Sequence, residues 1–387
     1  MKLFKSLLVA PATLGLLAPM SATANEFNLA DVSGYSSSGE VQNIGEFNPS
    51  EELAVTNSRV DGLEARINDF EAGSFSSTTA ASFSVDMAIG ALDNATIVTG
   101  NLSPERVEAR YGYQIDLTTS FTGEDSLDIS IDAGNGGGAL AEFDMNSGGD
   151  SLAVDGVMYT FPVGELTVFV GDNTDGSALY NTACVYGGPS NTLDDCGNVN
   201  SGITGSGTAT GASYDFGNGI TGAVGYAGDG SSSNGLMTEQ GDDAYGAQLT
   251  YTADTYGASV TYGLTEAAGV DTTSFALNGY WTPASSGSLP SISIGFEVDD
   301  PETVGDGDTS SYFVGFQWDE VGPGTFGAAF GTSTPTVDDG TELLMYETFY
   351  SYPINDGMTI TPLVYFKEMG VGADDQTGIM VKTSFSF

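Results

Sequence analysis

The chain contains no histidine. Catalytic triads, His-supported metal centres and most phosphotransfer relays need an imidazole that titrates near neutral pH, so these classes fall away. A hydrolase built on Asp or Glu alone would survive that test. Neither a P-loop nor a G-x-S-x-G elbow is present. Basic residues are nearly as scarce: 8 Lys and Arg stand against 52 Asp and Glu, for a formal net charge of −44. Nucleic acid, which selects basic patches, is thereby excluded as a partner. There are only two cysteines, and beyond the first residues no apolar run is long enough for a membrane-spanning helix.

The single apolar run, Leu7 to Met20, follows Lys2 and Lys5 and precedes Ala22-Thr23-Ala24. Pro11 and Pro19 interrupt it, and it is shorter than the roughly 20 residues of a spanning helix. This is the plan of a cleaved secretory signal, with cleavage expected after Ala24 and export through the Sec pathway. Residues 25–50 are polar and without period. From Glu51 the period becomes helical. Leu53, Val60 and Ile67 fall seven apart, with Thr56, Leu63 and Phe70 between them, flanked by Arg59, Glu64, Arg66 and Glu71. Residues 51–73 are therefore expected to form a short coiled-coil stalk, or a single helix lying on the end of the next domain.

What the chain has in abundance is Gly (54), Phe (21) and Tyr (18), in segments that alternate with period two from residue 74 to residue 387. Val107, Ala109, Tyr111 and Tyr113 alternate with Arg106, Glu108 and Arg110. Tyr245, Ala247, Leu249 and Tyr251 repeat the pattern, as do Tyr312, Val314, Phe316 and Trp318. Alternation marks strands with one apolar and one polar face. A sandwich and a barrel both show it, and the connections separate them. Very short links, such as Asn218-Gly219, Asp254-Thr255 and Asp356-Gly357, take turns with long Asp- and Gly-rich ones such as 134–150, 172–206 and 229–241. Sorting of that kind predicts an all-β, antiparallel transmembrane β-barrel of about 16 strands. Trp281, Trp318, Tyr352 and Phe121 all fall at the short-turn end, as an interfacial aromatic girdle would.

Four segments carry a family resemblance: "VTNSRVDGLEARINDFEAGSFSSTT" (55–79), "MYTFPVGELTVFVGD" (158–172), "CVYGGPSNTLDDCGN" (184–198) and the final "VKTSFSF". Together they resemble the cyanobacterial outer-membrane porins, described variously as carbohydrate-selective porins of the OprB type or as iron-uptake porins. The resemblance implies a trimeric barrel in the outer membrane that passes small hydrophilic solutes without a cofactor. Most such porins carry a surface-layer-homology module ahead of the stalk, and residues 25–50 are too short to hold it. The alternative class is a barrel plugged by its own loops, serving as anchor or receptor.

Candidate site residues follow from this reading. Cys184 and Cys196 are expected to pair, because the protein is exported. Their loop is the third long one, and by analogy with general porins it folds inward, so Asp172, Asp175, Asp194 and Asp195 either line a constriction or are solvated surface acids. Arg106, Arg110, Lys367 and Lys382 occupy polar phases of strands that meet when the barrel closes. They either pair with lumen acids such as Glu108 or face the third loop across the pore. Acids predominate in either case, which predicts a preference for cations. Phe387, on the apolar face of the closing strand, is expected to serve as the signal read by the outer-membrane assembly machinery. The acidic loops lack the spacing of a calcium loop.

Overall fold

The computed structural model describes residues 79–93, 106–203, 207–238, 240–267, 270–284, 288–302, 307–338 and 340–387. The expected signal peptide (1–24), polar segment (25–50) and stalk (51–73), with Leu53, Val60, Leu63, Ile67 and Phe70, lie outside these residues.

The strands are β1 (Thr79–Asp93), β2 (Val107–Thr119), β3 (Ser126–Gly134), β4 (Gly149–Val163), β5 (Leu166–Thr174), β6 (Gly207–Gly217), β7 (Ile220–Gly228), β8 (Asp243–Thr252) and β9 (Tyr256–Ala267). They continue with β10 (Val270–Trp281), β11 (Ser291–Pro301), β12 (Thr309–Val321), β13 (Gly324–Thr332), β14 (Thr336–Val337), β15 (Leu344–Asn355), β16 (Met358–Lys367) and β17 (Gln376–Ser386). Each pairs antiparallel with its sequence neighbour, except that β14, two residues long, only extends the edge of β12 while β13 pairs directly with β15. β1 pairs with both β2 and β17, so the remaining sixteen strands form a closed antiparallel barrel. Closure leaves no unpaired edge, the condition for a sheet to sit in lipid.

Alternation is translated directly into two faces. Met87, Ile89, Val107, Val170, Val224, Leu249, Phe275, Ile294 and Val364 point outward and are exposed. Cross-strand partners share a face, so the outward phase can be followed from Leu117 to Ile129 to Val157. The short turns gather at one end. Aromatic rings collect beside them: Phe121 against Tyr159, Tyr159 against Phe161, Tyr214 against Phe216, Tyr251 against Tyr256, Trp318 against Phe326 and Tyr350 against Tyr352. The expected girdle is thus wider than the four residues first singled out. Two connections break the short–long rule. β9 ends at Ala267 and β10 begins at Val270 at the long-loop end, whereas β10 ends at Trp281 and β11 begins only at Ser291 at the short-turn end.

The seam is closed at its end by reciprocal backbone hydrogen bonds between Phe83 and Phe387, 2.9 and 3.0 Å, under stacked rings. Asp125 fixes the first short turn. It accepts from the backbone N–H and hydroxyl of Thr122, from Ser120 and from Tyr159. Burial alone would raise its pKa, and these hydrogen bonds outweigh burial and hold the carboxyl below the usual carboxylate range.

The buried core lies inside the barrel rather than in its wall. Leu140, Phe143 and Met145 from the loop 135–148, and Tyr186, Leu193 and Cys196 from the loop after β5, pack with Ala88, Phe313, Met345, Phe349, Leu363 and Met380 of the inner wall. Two loops therefore fold inward.

Candidate functional site: the lumen and its inward loops

The inner wall of β7 to β13 presents small residues: Ala223 and Gly225, Gly246, Ser259 and Gly263, Ser274 and Ala276, Ser293 and Gly295, Ser311 and Gly315, Ala329 and Gly331. The third loop lies directly on this track. A Cβ at Gly295 would sit 1.7 Å from the carbonyl oxygen of Cys196, and one at Gly225 1.9 Å from that of Gly176. Glycine at these two positions is required by the close approach of backbone to backbone.

Wall side chains then satisfy the loop backbone. The hydroxyl of Ser259 accepts from the Ala183 N–H, that of Ser293 from Val185, and the Gln317 amide oxygen from Gly187. Glu297, fully buried, accepts the backbone N–H groups of Val199, Asn200 and Ser201 together with the Ser201 hydroxyl. Glu347 accepts from the Tyr186 hydroxyl at 2.6 Å, and burial followed by that carboxylate pushes the Tyr186 phenol well above its usual range. Within the loop Cys184 and Cys196 are disulfide-bonded, as expected. None of Glu142, Gln248, Glu297 or Glu347 was singled out from the sequence. A signal existed: a long run of strands whose polar phase holds little but Gly, Ala and Ser needs something else to fill the space beside it.

Asp172 does not join the lumen. It pairs across strands with Val157, shares the outward phase of Val168 and Val170, and accepts from Thr208. It faces outward at the strand end, because β5 runs to Thr174, three residues into the segment 172–206 that reads as a loop in the sequence. Asp194 and Asp195 stand at the inward tip of the third loop, open to lumen water. Enclosure by the barrel, then Asp195 and Asp144 beside it, pushes Asp194 up to about 7; burial, then Asp144 and Asp175, raises Asp195. Asp175 at the loop start lies within electrostatic reach of Asp155, which also faces Asp132 and Asp116 on the wall.

The four cations do sit on one stretch of wall, β16–β17–β1–β2, but they do not look across at these acids. The loop 135–148, with its short 3-10 helix Gly138–Phe143, covers Lys367 and Lys382 and meets Arg110, while Arg106 stays exposed. Lys367 forms an ion pair with Glu142 at 2.9 Å and also donates to Thr192 of the third loop. Lys382 lies 5.4 Å from the centroid of the Phe143 ring. Arg110 pairs with Glu108 and donates to the Asn135 carbonyl, and Arg106 pairs with the same Glu108. Lys367 and Lys382, expected either to pair with lumen acids or to face the third loop across the pore, are held by an inward segment that alternation could not reveal. Glu142 joins the two loops, since it also accepts from the N–H and hydroxyl of Thr192.

Among the described residues no group of three or more acidic or cysteine side chains converges as a metal centre would. Comparison with known proteins gives the same architecture. An anion-selective porin from Comamonas acidovorans superposes with a TM-score of 0.58 at 14% identity, over 80% of this chain and 99% of that one. The fold is that of the porins. OprB of Pseudomonas putida gives 0.58 at 10% identity over 80% and 94%, and a Rh. blastica porin mutant 0.52 at 12% over 80% and 100%. No family model matches the sequence. An uncharacterised protein of Nostoc sp. (strain PCC 7120) is 32% identical over 142 residues, which span 31% of this chain and 23% of that protein.

Proposed function

We propose that this barrel is an outer-membrane channel for passive diffusion of small hydrophilic solutes and ions, with a preference for cations. The observation that carries the reading is the unequal treatment of the inner wall. Ser84 and Asp86 on β1, Gln114 and Asp116 on β2, and Ser130 and Asp132 on β3 are inward and polar, Ser84 exposed and the others half-buried, whereas most of the wall opposite is covered. Carboxylates dominate the open side, and wall charges set the selectivity of a pore. Diffusion of this kind calls for no cofactor. Export by a cleaved signal, homotrimer formation through the stalk and recognition of Phe387 by assembly machinery complete the proposal, supported by the sequence patterns above. Sugars and inorganic iron are both compatible with a wet, polar lumen, as the family resemblance implies.

A second reading has one observation in its favour: two loops joined through Glu142 place an apolar cluster inside the barrel, as a plug would. Conductance of purified protein in a planar bilayer separates the two. Discrete steps support the channel; a sealed barrel, with liposomes that do not swell in sugars, supports an anchor or receptor. Swelling assays beside iron uptake by a deletion strain identify the solute.

A further inference from the structure

Resting on that channel reading, we infer that solutes cross the barrel off its axis, in a lane confined to the inner face of β1, β2 and β3 and bounded on the other side by the tips of the two inward loops. Three independent features define this lane. The first is coverage. From β7 to β15 the inner side chains are spent on the third loop: Gln248, Ser259, Ser293, Glu297 and Glu347 are all buried against it. β4 to β6 are closed in the same way where Phe169, Ala209 and Met158 pack with Leu179, Tyr180 and Ile203. On β16 and β17 the cover is Leu140 and Phe143.

Openness is the second. A cavity of about 110 Å³ remains between Ser84, Asp86 and Gln114 on the wall and Asp144 and Asn146 on the loop. Ala80, Ser82 and Ser84 continue exposed toward the short-turn end.

Charge is the third. Every described basic side chain is held by a partner, at Glu108, Glu142 or Phe143. Both banks present carboxylates instead: Asp116 and Asp132 on the wall, Asp144, Asp194 and Asp195 on the loops. Past the Arg106–Glu108–Arg110 group at the mouth a hydrated cation is attracted along the passage, and because these acids do not converge it keeps its water and is not trapped. Low-dielectric walls focus the field along the lane.

Cysteine reporters test the placement cleanly, because the two native cysteines are bonded and no free thiol is present among the described residues. Ser84→Cys and Ser130→Cys sit in the lane. Ser311→Cys sits on the covered wall, where the Ser311 hydroxyl has no hydrogen-bond partner, so its replacement removes none. Bulky charged methanethiosulfonates are applied to single channels in a bilayer, and to the purified full-length barrel with labelling read by mass. The expected result is labelling and a fall in conductance at S84C and S130C, with S311C silent in both assays. The cationic reagent should react faster than the anionic one at low salt, by at least about tenfold. Labelling of S311C with a matching loss of current, or silence at S84C and S130C, overturns the lane. Equal rates for the two reagents remove its charge assignment. A wild type that never conducts while S84C and S130C still label and S311C does not would refute the channel but leave the open lane standing.

Discussion

Glu297 shows how much of this lumen rests on single side chains. A carboxylate with no cation beside it among the described residues is buried in the wall, with Asp299 nearby, and is stabilised by three backbone N–H groups and a hydroxyl of the third loop. Charge-assisted hydrogen bonds of this type are the stronger class. Glu297→Gln puts a donor where acceptors are needed. The amides of Val199, Asn200 and Ser201 should then exchange with solvent roughly ten- to hundredfold faster, a loss of about 1–3 kcal/mol in local stability. Hydrogen exchange read by mass spectrometry checks this, and unchanged protection would show that the Gly track alone seats the loop.

Asp194 gives a second prediction at the same scale. Its carboxyl is raised to about 7 by enclosure and by Asp195 and Asp144. A raised acid is protonated below that value and charged above it, so the lane gains negative charge as pH rises from 6 to 8. Cation preference, taken from reversal potentials in a salt gradient, should increase across that window. In Asp194→Asn the step should vanish while the preference at pH 6 stays close to that of the wild type. A wild type whose preference is flat from pH 6 to 8 contradicts the assignment.

At the scale of elements, the third loop behaves as a separate structural unit clipped to a rigid wall. The Cys184–Cys196 bond closes a ring wholly inside that loop. In the chain-entropy account a ring of this size contributes about 3 kcal/mol, and here that free energy orders the loop tip rather than the strands. Changing both cysteines to Ser should leave the strand content by circular dichroism unchanged and increase open-channel current noise. A barrel that fails to assemble without the bond would show instead that the loop is part of the folding core.

The strands themselves were legible from sequence because period two is a local property. Each side chain's face follows from its neighbours two residues away, and one apolar face is obligatory in lipid. The loops were not legible in the same way. Inward folding of residues 135–148 depends on Leu140, Phe143 and Met145 meeting Ala88, Leu363 and Met380, which are distant in sequence. Only the cysteine pair announced that the longest loop had a fixed shape. Asp172 was misplaced for a related reason: strand pairing with Val157 continued β5 beyond the boundary suggested by its Asp-Asn composition.

At the scale of the whole molecule, electrostatics decides the character of the pore. With Lys367 and Lys382 masked by the second loop, the remaining accessible cation group is Arg106 and Arg110 around Glu108, beside the mouth. Changing both arginines to Gln should release the charge of Glu108 and strengthen cation preference. The change should be clear at low salt and small near 1 M, where the Debye length falls to about 3 Å. Reversal potentials that shift toward anions, or that shift equally at both salt concentrations, would place these residues outside the conducting field.

The amino-acid sequence by itself determined the barrel: the alternation, the sorting of short and long connections and the aromatic positions are each local, and lipid admits few sheet solutions besides closure. It also determined the sign of the charge, since acids outnumber bases so heavily. Tertiary structure alone decided where water remains inside. That outcome depends on which small residues of seven successive strands line up into a track, and on a second loop reaching across to Lys367 and Thr192. Those contacts join residues such as Ala183 and Ser259, 76 positions apart, and Glu142 and Lys367, 225 apart, and no period in the chain encodes them.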